Sequence, residues 1–162
     1  MKIRFKPSAI SSEEYLMIGI STSWDDFQLA HHLNKQFDNN FYKINDIVFY
    51  DKNGSLGNFP FYYHRDFDLK LDYYLLANRG DEHFLLPKYK NFEFFILFRV
   101  STYSLPLKEL LTKMRKLSNI NAALEIPLLT VKNLSEILED IEIHLMEINT
   151  RSRTKELKDW LW

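Results

Sequence analysis

The sequence predicts an α+β domain with a mainly antiparallel central sheet of five to six strands, one N-terminal helix and two or three C-terminal helices. Two observations lead to this fold class. Short runs rich in aromatic and β-branched residues occupy most of residues 41–100, and few residues separate successive runs. Such short connections leave no room for crossover helices, so neighbouring strands are expected to be antiparallel. Beyond these runs, apolar residues recur at helical spacing.

The N-terminal part is predicted to form a strand followed by a helix. Residues 14–20 are a continuous apolar run of strand length, which is typical of a buried strand. Ser23 is the expected N-cap, because serine caps helices well and the acidic Asp26 follows three residues later. The helix is expected over residues 24–37. Its core-facing stripe is expected to consist of Phe27, Ala30, Leu33 and Phe37.

The middle of the chain is predicted to consist of short strands. They are expected at residues 41–44, 47–50, 59–64, 69–76, 83–86 and 92–100. The Asn53-Gly54 step favours a tight hairpin turn after the second of them. The polar residues 78–81 predict another turn.

The C-terminal part is predicted to be mainly helical. Pro106 favours a helix start, and it precedes a helical stripe that consists of Leu107, Leu110, Leu111, Met114 and Leu117. A brief strand is expected over residues 121–126. A longer helix is marked by Leu134, Ile137, Leu138, Ile141, Leu145 and Ile148. Residues 151–162 are expected to be a short helix or a tail, either docked or flexible.

Length and composition limit the architecture and the chemistry. A chain of 162 residues predicts a single domain, residues 1–162, with residues 1–12 as a flexible N-terminal segment. The sequence has no cysteine, which excludes a disulfide framework, a thiolate nucleophile and zinc sites built on sulfur. It shows neither a signal peptide nor an apolar run of about 20 residues, so we expect a cytoplasmic protein without a membrane partner.

The charge balance argues against a nucleic-acid partner, although it leaves room for a local basic patch. The formal net charge is −1, from 21 basic and 22 acidic residues, so bulk attraction to phosphate backbones is weak. Basic residues do accompany apolar or aromatic ones at 113–116 and at 151–162, which includes Trp160 and Trp162. The charges fall at predicted helix ends, where they compensate the helix dipole. The terminal tryptophans are expected to fold back onto the core or to reach a partner subunit.

Acidic residues and histidines lie close together in the first helix. Asp25, Asp26, His31 and His32 are potential metal ligands, but adjacent histidines point about 100° apart on a helix, and no His-x-x-x-His pair is present. The sequence therefore predicts no metal site and no cofactor.

The turn between the first strand and the first helix holds binding candidates. Ser21 and Asp25 flank a helix start, where backbone amides bind phosphate or carboxylate. The glycine-rich approach of a phosphate loop is missing, which favours helix capping as the explanation. Trp24 is either a ligand platform or a residue that packs over the helix start.

The polar turn near residue 79 holds the other candidates. Asn78 fits ordinary turn geometry. Arg79 at a loop tip has a guanidinium fork that can bind carboxylate or phosphate. Lys88 follows Pro87 and is expected in the same region.

Several segments resemble a known bacterial family. They are Leu16-Met17-Ile18-Gly19-Ile20, Asp26-Phe27-Gln28-Leu29-Ala30 with Leu33-Asn34, Tyr73-Tyr74-Leu75-Leu76-Ala77-Asn78-Arg79, Leu86-Pro87-Lys88 and Phe92-Glu93-Phe94-Phe95. Together they resemble the small, uncharacterised IPExxVDY family across residues 12–100. Residues 86–88 stand for Ile-Pro-Glu, with Lys88 in place of the glutamate, and residues 92–94 stand for Val-Asp-Tyr. The resemblance implies no assigned activity.

These observations predict a non-enzymatic protein-binding or adaptor module. Aromatic residues are abundant, and no nucleophile stands in an arrangement with a base. The partner is expected to be another protein or a second copy of this chain. The alternative is a small-molecule or nucleic-acid binder that uses Arg79, Lys88 and the basic C-terminal tail, and an enzyme of unrecognised type ranks third.

Overall fold

A computed structural model of the protein describes residues 15–100 and 105–160. The chain divides into two compact units, one that ends at Lys132 and one that begins at Asn133. The predicted single domain therefore stays a prediction. The predicted flexible segment, residues 1–12, lies outside the described residues.

The order of elements along the chain starts with a strand and ends with a long helix. The helices and strands are β1 (Tyr15–Thr22), α1 (Asp26–Phe37), β2 (Tyr42–Asp51), β3 (Gly54–Asp66), β4 (Leu71–Ala77), β5 (Phe94–Val100), α2 (Leu107–Arg115), β6 (Ile120–Glu125) and α3 (Leu134–Trp160). Short 3-10 turns lie at Pro87–Tyr89 and Leu128–Thr130. No helix in this described part of the chain is long and apolar enough to span a membrane.

The sheet has six strands in the order β2-β3-β4-β5-β1-β6, and each neighbouring pair is antiparallel. This confirms the predicted α+β class. The predicted hairpin joins β2 and β3, where the pair Asp51 and Gly54 leaves only a tight turn between the strands. Gly54 has a φ of 117°, a conformation that residues with a Cβ rarely adopt, so glycine suits this position.

The core of the first unit lies between one face of the sheet and helices α1 and α2. Its buried residues include Ile18, Ile20, Leu29, Leu33, Leu75, Ile96, Phe98, Leu111 and Met114. Leu107, Leu110 and Leu117 pack against this cluster, so the whole stripe predicted for α2 faces the core. Burial of apolar side chains on this scale is the main stabilising contribution to such a unit.

The N-cap of α1 is Asp25, so the prediction of Ser23 was wrong. The Asp25 carboxylate accepts the Gln28 N–H at 2.8 Å, and the Gln28 side chain accepts the Asp25 N–H at 3.1 Å. This reciprocal pair is a capping box. In the turn before Asp25, the Thr22 hydroxyl accepts the Trp24 N–H at 3.1 Å.

The buried face of α1 also differs from the predicted stripe. Phe27 is 71% exposed, whereas Leu29 is fully buried. Leu29 and Leu33 are four residues apart and share one side of the helix, while Phe27 lies about 200° away from Leu29. The aromatic side chain therefore points to solvent.

Strand β2 is continuous and carries a bulge, where the sequence predicted two short strands. Ile44 pairs with Phe61 and Ile47 pairs with Phe59, so Asn45 and Asp46 stand opposite a single residue of β3. Bulges of this kind bend a strand and interrupt its ladder. The residue opposite is Pro60, and a bulge is one of the few places where an interior strand tolerates proline.

The short strand predicted at residues 83–86 is absent from the described chain. One isolated bridge joins Phe84 to Arg79, and the rest of the connection between β4 and β5 is irregular. The predicted strand 121–126 corresponds to β6, shifted by one residue.

The second unit consists of α3, which begins after Asn133. Ile137, Leu138 and Ile141 from the predicted stripe are buried. The helix continues through most of the segment 151–162, as far as Trp160. Residues 161–162 lie outside the described residues.

Candidate functional site

The sheet brings several predicted site residues to one of its ends. In the antiparallel register Phe94 pairs with both Ile20 and Ala77, so the ends of β1 and β4 meet the start of β5. Glu93 connects the three segments. Its carboxylate accepts the Thr22 N–H at 2.9 Å, and its carbonyl oxygen accepts the Asn78 N–H at 2.9 Å. The turn after β1 and the turn after β4 are therefore neighbours.

Asn78 lies inside this end of the sheet and is fully buried. Its side-chain amide donates to the carbonyl oxygens of Tyr89 and Phe92 at 3.0 Å each, and its side-chain oxygen accepts the Leu86 N–H at 2.8 Å. Its own carbonyl oxygen accepts the Leu85 N–H at 2.6 Å. These bonds use most of the hydrogen-bonding capacity of an asparagine. Asn78 thus organises the connection between β4 and β5, and its side chain does not face a ligand.

Arg79 and Lys88 lie on the surface of the same connection. The Arg79 guanidinium carbon is 5.5 Å from the centroid of the Phe84 ring, and the Lys88 ammonium is 5.6 Å from that of the Tyr89 ring. Each cation therefore rests near a different aromatic ring, at a distance that gives a weak cation–π attraction. Both side chains are exposed.

A clamp between Asn58 and Asp81 holds the β4–β5 connection to β3. The Asn58 N–H donates to the Asp81 carboxylate at 2.9 Å, and the Asp81 N–H donates to the Asn58 carbonyl oxygen at 3.3 Å. The bond from the Asn58 backbone lowers the pKa of Asp81 below its ordinary value. Arg79 thus lies between two anchored residues: Asn78, which bonds to the backbone of the connection, and Asp81, which bonds to Asn58 of β3.

Trp24 forms an aromatic stack at the start of α1. Its ring lies 4.0 Å from that of His32 with an interplanar angle of 9°, and it packs against the core cluster. The Thr22 hydroxyl accepts the Trp24 N–H and donates to the Asn119 carbonyl oxygen at 2.7 Å. Ser21 is a half-buried strand residue paired with Ala122. The indole is therefore held in a defined position.

Besides this stack, α1 exposes two further rings. Phe27 is 71% exposed, and the exposed His31 packs edge-on against His32 at 5.4 Å. Phe27 and His31 are four residues apart and share one side of the helix. We call Trp24, Phe27, His31 and His32 the α1 surface.

Sequence reasoning named Trp24 as a binding candidate but missed the rest of the α1 surface, because it assigned Phe27 to the core. Two signals indicate the correct face. Asp25 and Gln28 have the spacing of a capping box, which places the helix start later. Leu29 and Leu33 then form an apolar stripe that does not need Phe27. In the sequence, His31 and His32 indicate only potential metal ligands, and no cluster of three or more potential ligands exists among the described residues.

An apolar cleft between α1, α2 and the sheet is too small for a ligand. Its lining includes Leu33, Phe37, Phe41, Tyr73, Phe98 and Met114. Its volume is ≈ 10 Å³. That is room for about one water molecule. The cleft is a packing gap in the core.

His64 is a buried histidine beside this cleft. It is 9% exposed, its ring stacks on Tyr73 at 5.1 Å, and its Nδ1 accepts the Asn40 N–H at 3.1 Å. Burial lowers the pKa of His64 below its ordinary value of 6.5, although the negative charge of Asp66 opposes the shift. Because Nδ1 accepts a hydrogen bond, the folded protein favours the neutral ring.

This arrangement predicts that acid destabilises the fold through His64. Below pH 6.5 the unfolded chain binds a proton that the folded chain excludes, so the contribution of His64 to stability is lost as the pH falls through the folded-state pKa. One such proton changes the free energy of unfolding by at most about 1.4 kcal/mol per pH unit. Urea unfolding between about pH 8 and pH 5 should show a weaker pH dependence for His64→Gln than for the wild type. The exposed His83, replaced in His83→Gln, is the control, and equal pH slopes in all three proteins would contradict the assignment.

Comparison of the chain with models of protein families, with curated proteins and with solved structures returns no match. The resemblance to the IPExxVDY family therefore stays a prediction.

Proposed function

We propose that the protein is a cytoplasmic, non-enzymatic protein-binding module that contacts its partner through the α1 surface. The observation that carries this proposal is the 71% exposure of Phe27 on the helix that also holds the stacked rings of Trp24 and His32 at its start. Burying a phenylalanine or tryptophan side chain supplies a large part of the binding energy at protein interfaces. The protein core does not use the Phe27 ring.

The α1 surface is preorganised for binding. The capping box fixes the first turn of α1, and the Trp24 ring is held by its stack and by the core below it. A partner therefore does not have to immobilise the Trp24 side chain, which lowers the entropic penalty of association. Phe27 is the ring that remains to be buried.

The partner is expected to combine an apolar pocket with positive charge. Asp25 is exposed and lies two residues before Phe27. The neighbouring Asp26 carboxylate already accepts the Tyr62 hydroxyl at 2.9 Å and pairs with Lys43 at 3.6 Å. A basic residue beside the pocket would face the Asp25 carboxylate. Such complementary charges add specificity and speed association.

Site-specific crosslinking tests which surface meets a partner. A photoreactive phenylalanine analogue is placed at position 27 in cells, and the same analogue is placed at position 67 as the control. Phe67 is the matched residue because it is also an exposed phenylalanine, at 79%. We expect a distinct crosslinked protein from position 27 only. That species, identified and purified, is then titrated against the variants.

The titration compares Phe27→Ala and Trp24→Ala with Phe67→Ala. Removal of a central aromatic anchor should weaken binding about 10-fold or more, because such residues contribute at least about 1.4 kcal/mol. Phe67→Ala should bind as the wild type does. Equal weakening by all three variants, or no crosslink from position 27, would sink the proposal. A crosslink to a second copy of this chain would identify the partner as the protein itself.

A further inference from the structure

Strand β6 lies at one edge of the sheet, and half of its backbone groups point away from β1. The Ile126 N–H donates to the Met17 carbonyl oxygen at 2.8 Å. The same register places Leu124 opposite Gly19 and Ala122 opposite Ser21. In an antiparallel ladder such alternate pairs exchange the hydrogen bonds. The residues between them in the regular part of the ladder therefore direct their N–H and C=O groups to the outer edge. These residues are Ala123 and Glu125, while Asn121 lies where the register shifts.

The outward carbonyl oxygen of Ala123 accepts two hydrogen bonds from Arg115. The Arg115 Nε donates to it at 3.1 Å and Nη2 donates at 2.8 Å. Arg115 is the last residue of α2. Hydrogen bonds from a charged donor are stronger than neutral ones, and the rigid guanidinium fork delivers two of them at once. The side chain thus covers the middle of the β6 edge.

Without this cover, β6 has the pattern of a strand that pairs with itself. Antiparallel pairing centred on Ala123 places Asn121 opposite Glu125 of a second copy, and Ala122 opposite Leu124. No like charges meet in this register, and the alanine side chains are too small to obstruct it. The central pair of hydrogen bonds requires the Ala123 carbonyl oxygen, which is the atom that Arg115 holds.

The two edges of the sheet are therefore protected differently. At the β2 edge, the bulge at Asn45 and Asp46 interrupts the ladder and adds a charge. Bulges and charges are both known to protect sheet edges. β6 is bulged only near its start, where its register to β1 shifts at Ser21 and Thr22.

We propose that Arg115 guards the β6 edge against antiparallel pairing with β6 of a second copy of this chain. The guanidinium competes for the Ala123 carbonyl oxygen that a second strand would use. Removal of the fork uncovers a self-complementary edge, and the protein then associates through it. This proposal is independent of the α1 surface.

The test compares self-association of Arg115→Ala, Lys116→Ala and the wild type by sedimentation velocity over the micromolar range. Lys116 is the adjacent exposed cation and the matched control. Arg115→Ala should lower the dissociation constant of the dimer about 10-fold or more, which corresponds to loss of one competing charge-assisted contact. Lys116→Ala should behave as the wild type. Association of Arg115→Ala no tighter than that of the wild type would overturn the proposal.

Two further variants test the register. Arg115→Ala with Asn121→Glu sets glutamate against Glu125 of the second copy, so the association should return to the wild-type level. The chain has no cysteine. Asn121→Cys and Glu125→Cys, each made in the Arg115→Ala background and then mixed, should form a disulfide-linked heterodimer under mild oxidation. Association that persists with Asn121→Glu, or that gives no such crosslink, would contradict this register.

Arg115→Lys tests the proposal even if Arg115→Ala fails to fold. Arg115→Lys keeps the aliphatic stem and the cation but cannot donate two hydrogen bonds from a planar fork. It should associate more tightly than the wild type and less tightly than Arg115→Ala. If Arg115→Ala is unfolded and Arg115→Lys associates no more tightly than the wild type, the result counts against the proposal.

Discussion

Replacement of Asn78 by alanine should lower the free energy of unfolding by about 3–4 kcal/mol. Asn78→Ala removes the donors to the Tyr89 and Phe92 carbonyl oxygens and the acceptor of the Leu86 N–H. The Leu86 N–H is then left buried without its acceptor, and the partly buried carbonyl oxygens of Tyr89 and Phe92 each lose a donor, although Tyr89 still accepts the Phe92 N–H at 3.0 Å. Each such loss costs up to about 1–3 kcal/mol, partly recovered by relaxation or by water. The effect is large because one side chain serves three backbone groups of an irregular connection.

Chemical denaturation of Asn78→Ala measures the free energy of unfolding, which follows from the midpoint and the slope of the unfolding transition. Asn91→Ala is the matched control, because Asn91 is an exposed asparagine in the same connection, and it should change the stability by less than about 0.5 kcal/mol. Asn78→Asp keeps an acceptor for Leu86 but sets a carboxylate against two carbonyl oxygens, so it should be at least as destabilising as alanine. A loss below about 1 kcal/mol for Asn78→Ala would refute the role of this side chain as an organiser.

Gly19→Ala should also destabilise the protein, by about 1–3 kcal/mol. A Cβ at this position would lie 2.7 Å from Cδ1 of Ile126 and 2.9 Å from Cγ of Phe92. Gly19 is in β1, between β5 and β6, where the backbone is paired on both sides and has little freedom to move away. The added methyl group therefore forces the two apolar side chains out of their positions.

A second substitution distinguishes this clash from an effect on the strand itself. Ile126→Val removes the Cδ1 atom that lies closest to the added Cβ, and by itself it should cost about 0.5–1.5 kcal/mol. The double variant should lose less stability than the sum of the losses in the two single variants, and the difference, which is the coupling energy, should be at least about 0.5 kcal/mol. Strict additivity would show that Gly19 is needed for another reason.

The fold class follows from local patterns that tertiary packing did not alter. The apolar runs that became β1 and β5 are long enough to be strands and lie in the interior of the sheet. Pro106 and the stripe after it predicted α2, because a helix of that composition buries only one face. The Asn53-Gly54 step predicted the hairpin between β2 and β3, since the turn geometry depends on those residues alone.

The candidate site was less predictable, because exposure depends on residues distant in sequence. Phe27 has the composition of a core residue, and only the packing of Leu29 and Leu33 turns it outward. Asn78 has the composition of a turn residue, yet the chain folds over it and uses its amide internally. A single side chain gives the same local signal in either environment.

Local sequence was sufficient to predict most of the strands and helices of this protein, since backbone preference and apolar periodicity act over a few residues. The tertiary structure decided where β1 and β6 lie in the sheet, which atom Arg115 covers and which ring of α1 faces solvent. Each of these depends on contacts between residues far apart in the chain, and their energies arise only once the sheet and its helices are assembled.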